Sequence, residues 1–432
     1  MIKKLSIAVI ILLLCTKLYA ADIYVRDGGS ATGSDGRGGD WDTANCYDQL
    51  TSAEAVAVRG DVVYVADGTY NAVTFNVAES STTRIYIKKA TASDHGIETG
   101  WLSAYGDGQS TISAPVQFDT GYWTIDGQAR NESDWFSGSA YGFQIANGGN
   151  YQDIVIHASN ITVQYVYVNA IVGVPEYDAG AYAIDTDGEA CTPTYTGLIF
   201  SRMFVNGGCN VWFLRSTNGA IVEYSASSNA SSNAANHGEI VNLYFCADNA
   251  IVRYNKFKDA FIGSAGTALV AITDGGDGLQ YYGNVAWNFE TGDAAIGFDG
   301  NASNNNLIYN NTFADLGWGN AGLRFGTGTG NVAYNNIWTD CSTVAFTAVT
   351  QSHNDTAFSS TGYVDYANAD FRLATATTAG TTLSSPYDVD MLGTTRGSDG
   401  TWDRGAYEFV DGEPTPTPTP TTQSAGGTGG WR

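Results

Sequence analysis

Apolar stretches along this chain are short, and turn-forming residues separate them. Examples are "VVYVA" at 62–66, "IVIHA" at 154–158, "AIVRY" at 250–254 and "LIY" at 307–309, bounded mostly by Gly, Asn, Asp or Ser. No window sustains the 3.6-residue apolar period of an amphipathic helix. The pattern therefore predicts many short β-strands joined by tight turns, and no long helix.

One polar turn position recurs along the chain at steps of 23 to 37 residues. It is occupied by Tyr165, Arg202, Ser225, Asn255, Asn284, Asn311 and Asn336. A period of this size indicates stacked repeats, and without helices it favours a parallel β-solenoid. Successive coils lie about 4.8 Å apart, so we expect the asparagines to form a hydrogen-bonded ladder. Aromatic residues two positions later predict a stack beside the turn: Tyr167, Phe204, Phe257, Phe313 and Trp338.

The ends of the chain depart from the repeat. Residues 1–20 have a basic start, an apolar core and the small-residue site "LYA", as in a secretory signal peptide; a lipoprotein site at Cys15 is the alternative. We divide the remainder into an N-terminal cap at 21–60, the solenoid at 61–365 and a closing segment at 366–411. A Pro-Thr spacer and Gly-rich tail fill 412–432.

Charge and cysteine content narrow the function classes. The net charge is −24, which repels nucleic acid and anionic lipid, and beyond the leader no stretch is apolar enough to insert into a membrane. Five cysteines follow the leader without a CxxC pair, which argues against a structural zinc site. Their odd number leaves at least one outside any disulfide within the chain.

Three stretches carry a family resemblance. "IYVRDGGSATGSDGRGGDWDTA…GDVVYVADGTY", the "IVRYNKF…IYNNTF…AYNNIW" repeats and the "SPYDVD…WDRGAYE" ending resemble secreted bacterial right-handed parallel β-helix proteins of the pectate-lyase-like superfamily. The resemblance spans roughly 22–410 and implies an all-β fold: a right-handed parallel β-helix with an N-terminal cap and a C-terminal closing segment. The superfamily includes lyases, hydrolases, esterases and non-catalytic adhesins, so fold does not fix activity.

No enzyme motif of the superfamily is intact. The polygalacturonase-like order "NTD…DD…GHG…RIK" finds only Asp185-Thr186-Asp187-Gly188, His237-Gly238-Glu239 and Asp274-Gly275-Gly276-Asp277. We therefore predict a site from position on the solenoid. Aligning "GTALVAITD", "GDAAIGFDG" and "NAGLRFGT" predicts one outward column of Thr273, Asp299 and Gly326. Ala271, Gly297 and Arg324 flank this column, and Asp274 lies at the strand end beside them. The catalytic candidates are His237, Glu239, Asp274, Asp299 and Arg324.

Substrate-binding candidates are Asp185 and Asp187 on an insertion, and Trp287 for stacking on a sugar ring. Carboxylates one coil apart stand about 5 Å from each other, and diagonal pairs roughly 6.5–9.5 Å, the separations of retaining and inverting glycosidases. Such a pair also suits Ca²⁺. We name no metal ligands and leave a Ca²⁺ cofactor open.

The sequence thus predicts a secreted or cell-surface, monomeric protein that binds or acts on extracellular polysaccharide. The favoured activity is that of a polysaccharide lyase or glycoside hydrolase. The alternative is a non-catalytic surface or adhesin-type β-helix.

Overall fold

The fold is described from a computed structural model. The structure describes residues 20–33, 37–146, 152–170, 182–188, 191, 194–230, 238–260, 268–273, 275–290, 294–297, 302–317 and 319–411. The predicted leader (apart from Ala20), spacer and tail lie outside these ranges. In the described part, no helix has the length and apolar character needed to cross a membrane.

The chain winds through three parallel sheets in a fixed order, which we number sheet 1, sheet 2 and sheet 3. Sheet 1 has twelve strands: Asp22–Val25, Val62–Val65, Ile85–Lys89, Trp123–Asp126, Ile161–Gln164, Ile199–Ser201, Ile221–Glu223, Ile251–Arg253, Gln280–Tyr282, Leu307–Tyr309, Val332–Tyr334 and Thr350–Ser352.

Sheets 2 and 3 have ten strands each. Those of sheet 2 are Gly68–Tyr70, Ser110–Ser113, Phe143–Ala146, Val166–Asn169, Phe204–Asn206, Ala226–Ser228, Lys256–Ala260, Val285–Glu290, Thr312–Gly317 and Ile337–Thr339. Those of sheet 3 are Val73–Phe75, Val116–Phe118, Gln152–Ile156, Tyr182–Thr186, Asn210–Arg215, Glu239–Tyr244, Ala268–Ile272, Ala294–Gly297, Leu323–Arg324 and Phe346–Thr347. Each strand pairs with its equivalent one coil away, so the predicted right-handed parallel β-helix is confirmed.

Few elements lie outside the three sheets. Strand Tyr195–Thr196 pairs with Thr217–Asn218 in parallel, and Tyr363–Asp365 pairs with Asp370–Leu373 as an antiparallel hairpin. The α-helix is Leu50–Glu54. Short 3-10 turns occupy Ser103–Tyr105, Gly138–Ala140, Ser360–Gly362 and Tyr366–Asn368.

The core consists of columns of inward side chains that repeat once per coil. In sheet 1 one column is at most 1% exposed throughout: Val63, Ile87, Ile125, Val163, Phe200, Val222, Val252, Tyr281, Ile308 and Ala333. Burying each larger member contributes about 1.5–3 kcal/mol. Because each coil buries its apolar face only against its neighbours, stacking itself stabilises the fold.

The asparagine ladder is confirmed and extends to Asn354. Each amide Nδ2 donates to the next coil's Oδ1, at 3.0 Å from Asn255 to Asn284, 3.1 Å to Asn311, 2.9 Å to Asn336 and 3.0 Å to Asn354. The same Oδ1 atoms accept a backbone N–H from the preceding coil. Four of the five side chains are fully buried, and this network satisfies their polar atoms.

The predicted alignment was wrong for the two earliest turns. Strand register places Tyr165 and Arg202 one residue before the ladder position, level with Tyr254 and Asn310. All four have positive φ, between 52° and 56°. The turn contains two polar positions, one left-handed and one that forms the ladder, and the sequence alignment merged them.

The same shift divides the predicted aromatic stack. Phe313 and Trp338 stack inside the core with ring centroids 4.9 Å apart, whereas Tyr167 and Phe204 stack 5.1 Å apart on the outer face of sheet 2. A one-residue offset in a strand moves a side chain to the opposite face. The prediction of one continuous stack is therefore wrong.

The closing part of the chain lies over the outer face of sheet 2. The Tyr363 hydroxyl is 2.9 Å from Thr339 Oγ1, and the Ala406 N–H donates to Thr312 Oγ1 at 3.0 Å. Trp402 also reaches the turn at Asn310. Sheet 2 is thus largely covered in the later coils. The domain boundaries given above stay a prediction.

Candidate functional site

The predicted catalytic residues do not form one described cluster. His237, Asp274 and Asp299 lie outside the described residues. Glu239 begins a sheet 3 strand and is 2% exposed, while Arg324 is half-buried three strands further along. Three strand spacings correspond to about 14 Å, so Glu239 and Arg324 are not brought together. The predicted alignment of Ala271, Gly297 and Arg324 agrees with the sheet 3 register.

Asp185 and Asp187 lie together on the outer side of sheet 3, where both bind Arg215. Arg215 Nη2 is 2.6 Å from Asp185 Oδ2 and 2.6 Å from Asp187 Oδ1, and Arg215 Nε donates to Asp185 Oδ1 at 2.9 Å. Gln152 donates a further hydrogen bond to Asp185. These bonds fix the guanidinium between two carboxylates.

His157 extends this network by one coil and Asp119 by another. His157 Nε2 is 3.2 Å from Asp187 Oδ2, and its Nδ1 is 2.9 Å from Asp119 Oδ1. The register places Asp119, His157, Asp187 and Arg215 at one equivalent position on four consecutive coils. We call these four residues the charged column. Stacking of coils therefore assembles it from positions far apart in sequence.

Exposure differs along the charged column. The Asp185 and Arg215 side chains are 0% and 12% exposed, whereas those of Asp119, His157 and Asp187 are 38%, 32% and 37% exposed. Burial raises the pKa of Asp185 despite the opposing charge of Arg215. The Asp185 carboxylate raises the pKa of Arg215 against the effect of burial. The Asp185–Arg215 ion pair is thus largely buried, whereas solvent can reach Asp119, His157 and Asp187.

Asp119 is stabilised in its ionised form. Partial burial opposes ionisation, but hydrogen bonds from Gln117 and His157 outweigh it and lower the pKa of Asp119. Asp119 and Asp187 are two strands apart, roughly 9.6 Å at the backbone. Both turn toward the intervening imidazole, which brings their carboxylates toward the roughly 6.5–9.5 Å separation found in inverting glycoside hydrolases.

An aromatic strip runs beside the charged column on the same face. Tyr182, Phe213 and Tyr244 follow one another on three coils, with centroids 4.5 Å and 5.6 Å apart. The Arg215 guanidinium lies 4.8 Å from the Phe213 ring. Phe213 is 7% exposed, whereas Tyr182 and Tyr244 are partly exposed. The two tyrosine rings beside hydrogen-bonding groups are suited to a sugar ring, which has apolar faces and hydroxyl edges.

Carboxylate oxygens are the ligands that a hard cation prefers, and the charged column contains two carboxylates, Asp119 and Asp187. Arg215 and His157 already lie between them. In the described part of the chain, no group of three or more Asp, Glu, His or Cys side chains has the arrangement of a metal site.

Trp287 lies away from sheet 3, on the outer face of sheet 2. Its ring packs 5.7 Å from Phe136 and 5.4 Å from Phe371 of the closing hairpin. Trp287 and the pair Asp185–Asp187 are therefore on different faces of the helix and do not form one site.

Sequence reasoning missed Asp119, His157, Arg215 and the aromatic strip. The sequence did contain a signal for the charged column: each of its four residues directly follows a short stretch whose last residue points inward. These stretches are "VQF", "IVI", "AIDT" and "WFL". Insertions between these coils make their spacing irregular, and only the strand register aligns them.

Comparisons with known proteins identify the fold. No family model and no curated protein matches the sequence. The pectate lyase Pel9A structure superposes with a TM-score of 0.53 at 13% identity, covering 90% of this chain and 98% of Pel9A. A GH136 lacto-N-biosidase from Eubacterium ramulus gives 0.37 at 12% identity, covering 78% and 67% of the two chains. The PL6 family polysaccharide lyase Pedsa3628 from Pseudopedobacter saltans gives 0.32 at 12% identity, covering 78% and 96%.

At this identity, the likeness to Pel9A shows the parallel β-helix fold and no particular activity. The other two scores are too low to add an argument.

Proposed function

We propose that this chain is a secreted, carbohydrate-active β-helix protein whose outer sheet 3 face binds and cleaves extracellular polysaccharide. The observation that carries the proposal is the solvent-accessible Asp119–His157–Asp187 row beside the aromatic strip. Acid–base groups serve the cleavage of a glycosidic bond, and aromatic rings serve the binding of sugars; the two adjoin here. The name of the structural neighbour Pel9A, a pectate lyase, agrees with this class of substrate.

Hydrolysis fits this arrangement better than elimination. The Asp119 carboxylate, which is held ionised, would take a proton from the water whose oxygen attacks the anomeric carbon. The Asp187 carboxyl group would donate a proton to the glycosidic oxygen as its bond to that carbon breaks. Arg215 is held by two carboxylates, so it is poorly placed to act as the base of a lyase. His157 and Arg215 would orient the two carboxylates.

The alternative is a glycan-binding surface protein without catalysis. Its supporting observation is that every member of the charged column has a charged partner in the column or in Asp185, as in a purely structural network. The aromatic strip would then serve binding alone. Both candidates predict the same face and differ in whether product forms.

Secretion and the expected partners belong to the same proposal. Cys191 and Cys246 form a disulfide, whereas Cys46, Cys209 and Cys341 do not; such a bond suits an oxidising, extracellular compartment. The net charge of −24 disfavours nucleic acid as a partner. We expect a monomer, because one helix carries the whole charged column.

The test is a polysaccharide panel with the full-length protein, run with and without Ca²⁺. New reducing ends without ultraviolet absorbance indicate hydrolysis, and absorbance from an unsaturated product indicates a lyase. Asp187→Asn and His157→Gln should abolish either activity, whereas the exposed control Asp399→Asn should retain it. Binding without product supports the alternative. No binding to any glycan, or full activity in both column variants, would refute the proposal.

A further inference from the structure

A cavity lies away from sheet 3, between sheet 2 and the closing hairpin Tyr363–Leu373. Its volume is about 360 Å³, within the usual 300–1,000 Å³ range of small-ligand sites. We call it the hairpin pocket. It is lined by Trp287, Asn288, Ala314, Asp315, Tyr366 and Phe371, among others. None of these residues belongs to the charged column or the aromatic strip.

The apolar part of the hairpin pocket is held rigidly. Trp287 packs against Phe136 on one side and Phe371 on the other, and Phe371 meets Tyr366 edge-on at 5.7 Å. Ala314 stacks directly after Trp287 in the sheet 2 register. A methyl group one coil from an indole leaves room above Ala314, which explains why a cavity opens at this coil.

The polar rim of the pocket arises from a column of left-handed residues. One position of sheet 2 is occupied on successive coils by Lys258, Trp287, Ala314 and Thr339. The residue after each of them has a φ between 50° and 59°: these are Asp259, Asn288, Asp315 and Asp340. Asp and Asn are among the non-glycine residues that adopt this conformation most readily. Asn288 and Asp315 line the pocket, so the bend places these two side chains at its edge.

Two rim groups are available to a ligand. Asn288 donates to Asp259 at 2.6 Å through Nδ2, which leaves its Oδ1 as an acceptor. Asp315 is exposed and makes no hydrogen bond or ion pair to any described residue. Burial raises the pKa of Tyr366 and nearby Asp340 adds to this effect, so its phenol stays protonated, but the hydroxyl oxygen is itself buried. The rim thus offers one carboxylate acceptor and one amide acceptor to a ligand.

We propose that the hairpin pocket binds a neutral pyranose residue of a glycan. Hydroxyl groups of the sugar would donate to Asp315 and Asn288, and an apolar sugar face would lie against Trp287. Asp315 at the pocket edge and Asp340 beside Tyr366 would repel a uronate or a phosphate. The charge of Asp259 is paired with Lys258 at 3.3 Å. The site goes beyond the proposed function, because it would anchor a glycan whether or not sheet 3 cleaves one.

Calorimetric titration with soluble oligosaccharides tests the proposal. Galactan, xylan and glucomannan fragments are the neutral probes, and polygalacturonate fragments are the acidic control. At least one neutral probe should bind, and the uronate should bind at least tenfold more weakly. Losing one hydrogen bond to a charged group corresponds to about a tenfold weaker Kd. Asp315→Ala should show that loss, Tyr366→Phe a smaller one, and Asp399→Ala none.

The two sites are separated by repeating the titrations in Asp187→Asn. If the hairpin pocket binds the neutral probe, its affinity persists in that variant even if sheet 3 proves inactive. The inference is overturned if no neutral probe binds, if the uronate binds as well as the neutral probes, or if Asp315→Ala and Asp399→Ala bind equally.

Discussion

The asparagine ladder, which contains Asn311, and the charged column, which contains His157, are both rows of polar side chains that repeat once per coil. They lie on different parts of the β-helix. Asn311 is fully buried and its amide group makes four hydrogen bonds. About a third of the His157 side chain is exposed. One geometric rule thus produces an internal scaffold at one turn and an accessible row of titratable groups at another.

The comparison teaches that stacking alone does not identify a functional site. In the ladder, every donor finds an acceptor of the same kind one coil away, so nothing remains for a ligand. In the charged column, unlike groups alternate and their outer atoms still meet solvent. The charged column differs from the asparagine ladder in two ways: its side chains are exposed to solvent, and they carry different chemical groups.

Replacing Arg215 with Met should have the largest effect on stability. It leaves Asp185 buried without its cation, a loss we expect to cost about 4 kcal/mol of unfolding free energy. Denaturant unfolding at neutral pH measures it. The double variant Asp185→Asn with Arg215→Met should recover much of the loss. If the unfolding free energy of the single variant changes by less than about 1 kcal/mol, the Asp185–Arg215 ion pair does not stabilise the charged column.

Removing one asparagine of the ladder should have the second-largest effect on stability. Asn311→Ala deletes the amide and leaves buried backbone and side-chain groups unpaired, so we expect a loss of about 3 kcal/mol. Asn368→Ala, at an exposed position of the hairpin, is the matched control and should change stability by less than about 0.5 kcal/mol. Equal unfolding midpoints for the two variants would contradict the ladder's structural role.

Asp153 sharpens the comparison, because it is a buried carboxylate without a cation. Burial raises its pKa to about 7, and its Oδ1 has no hydrogen-bond partner among the described residues. The folded state therefore binds the proton more tightly than the unfolded state. The Asp153 contribution to stability is present below about pH 4 and is lost as the pH rises toward 7.

Asp153→Asn should consequently stabilise the protein by about 2 kcal/mol at pH 8 and by little at pH 4. Thermal or urea unfolding across this pH range measures the difference between the variant and the original chain. A pH-independent difference would show that Asp153 does not titrate between these limits.

Asp187→Asn should have the smallest effect on folding. The amide keeps the shape of the half-exposed side chain and Arg215 retains Asp185, so the unfolding free energy should change by about 0.5 kcal/mol or less. Glycan cleavage should nevertheless be lost. Parallel loss of folding and activity would place Asp187 with the scaffold instead.

The fold was predictable because its signal is repeated in every coil. Asn255, Asn284, Asn311 and Asn336 share their neighbours in sequence, so their alignment needed no structure. Tyr165 and Arg202 were misplaced because the turn has two adjacent polar positions and those coils lack the asparagine.

The candidate site was only partly predictable. Asp185 and Asp187 stood out as carboxylates on a predicted insertion, but that prediction was wrong in part, because Tyr182–Thr186 is a regular strand of sheet 3. Their partner Arg215 and the neighbouring His157 carry no local motif. Their meeting depends on the register of strands separated by insertions of different lengths. Trp287 was identified as a sugar-stacking residue, yet nothing in its local sequence shows that it lies on sheet 2 and not with the carboxylates.

The central claim is that glycan occupies the outer face of sheet 3, and carboxylate footprinting tests it most directly. Asp119, Asp187 and the remote Asp399 are labelled with a carbodiimide and an amine, with and without the glycan that the panel identifies, and each site is quantified by mass spectrometry. The account predicts that glycan protects Asp119 and Asp187 while Asp399 labels unchanged. Equal labelling of Asp119 and Asp187 in both conditions would contradict it.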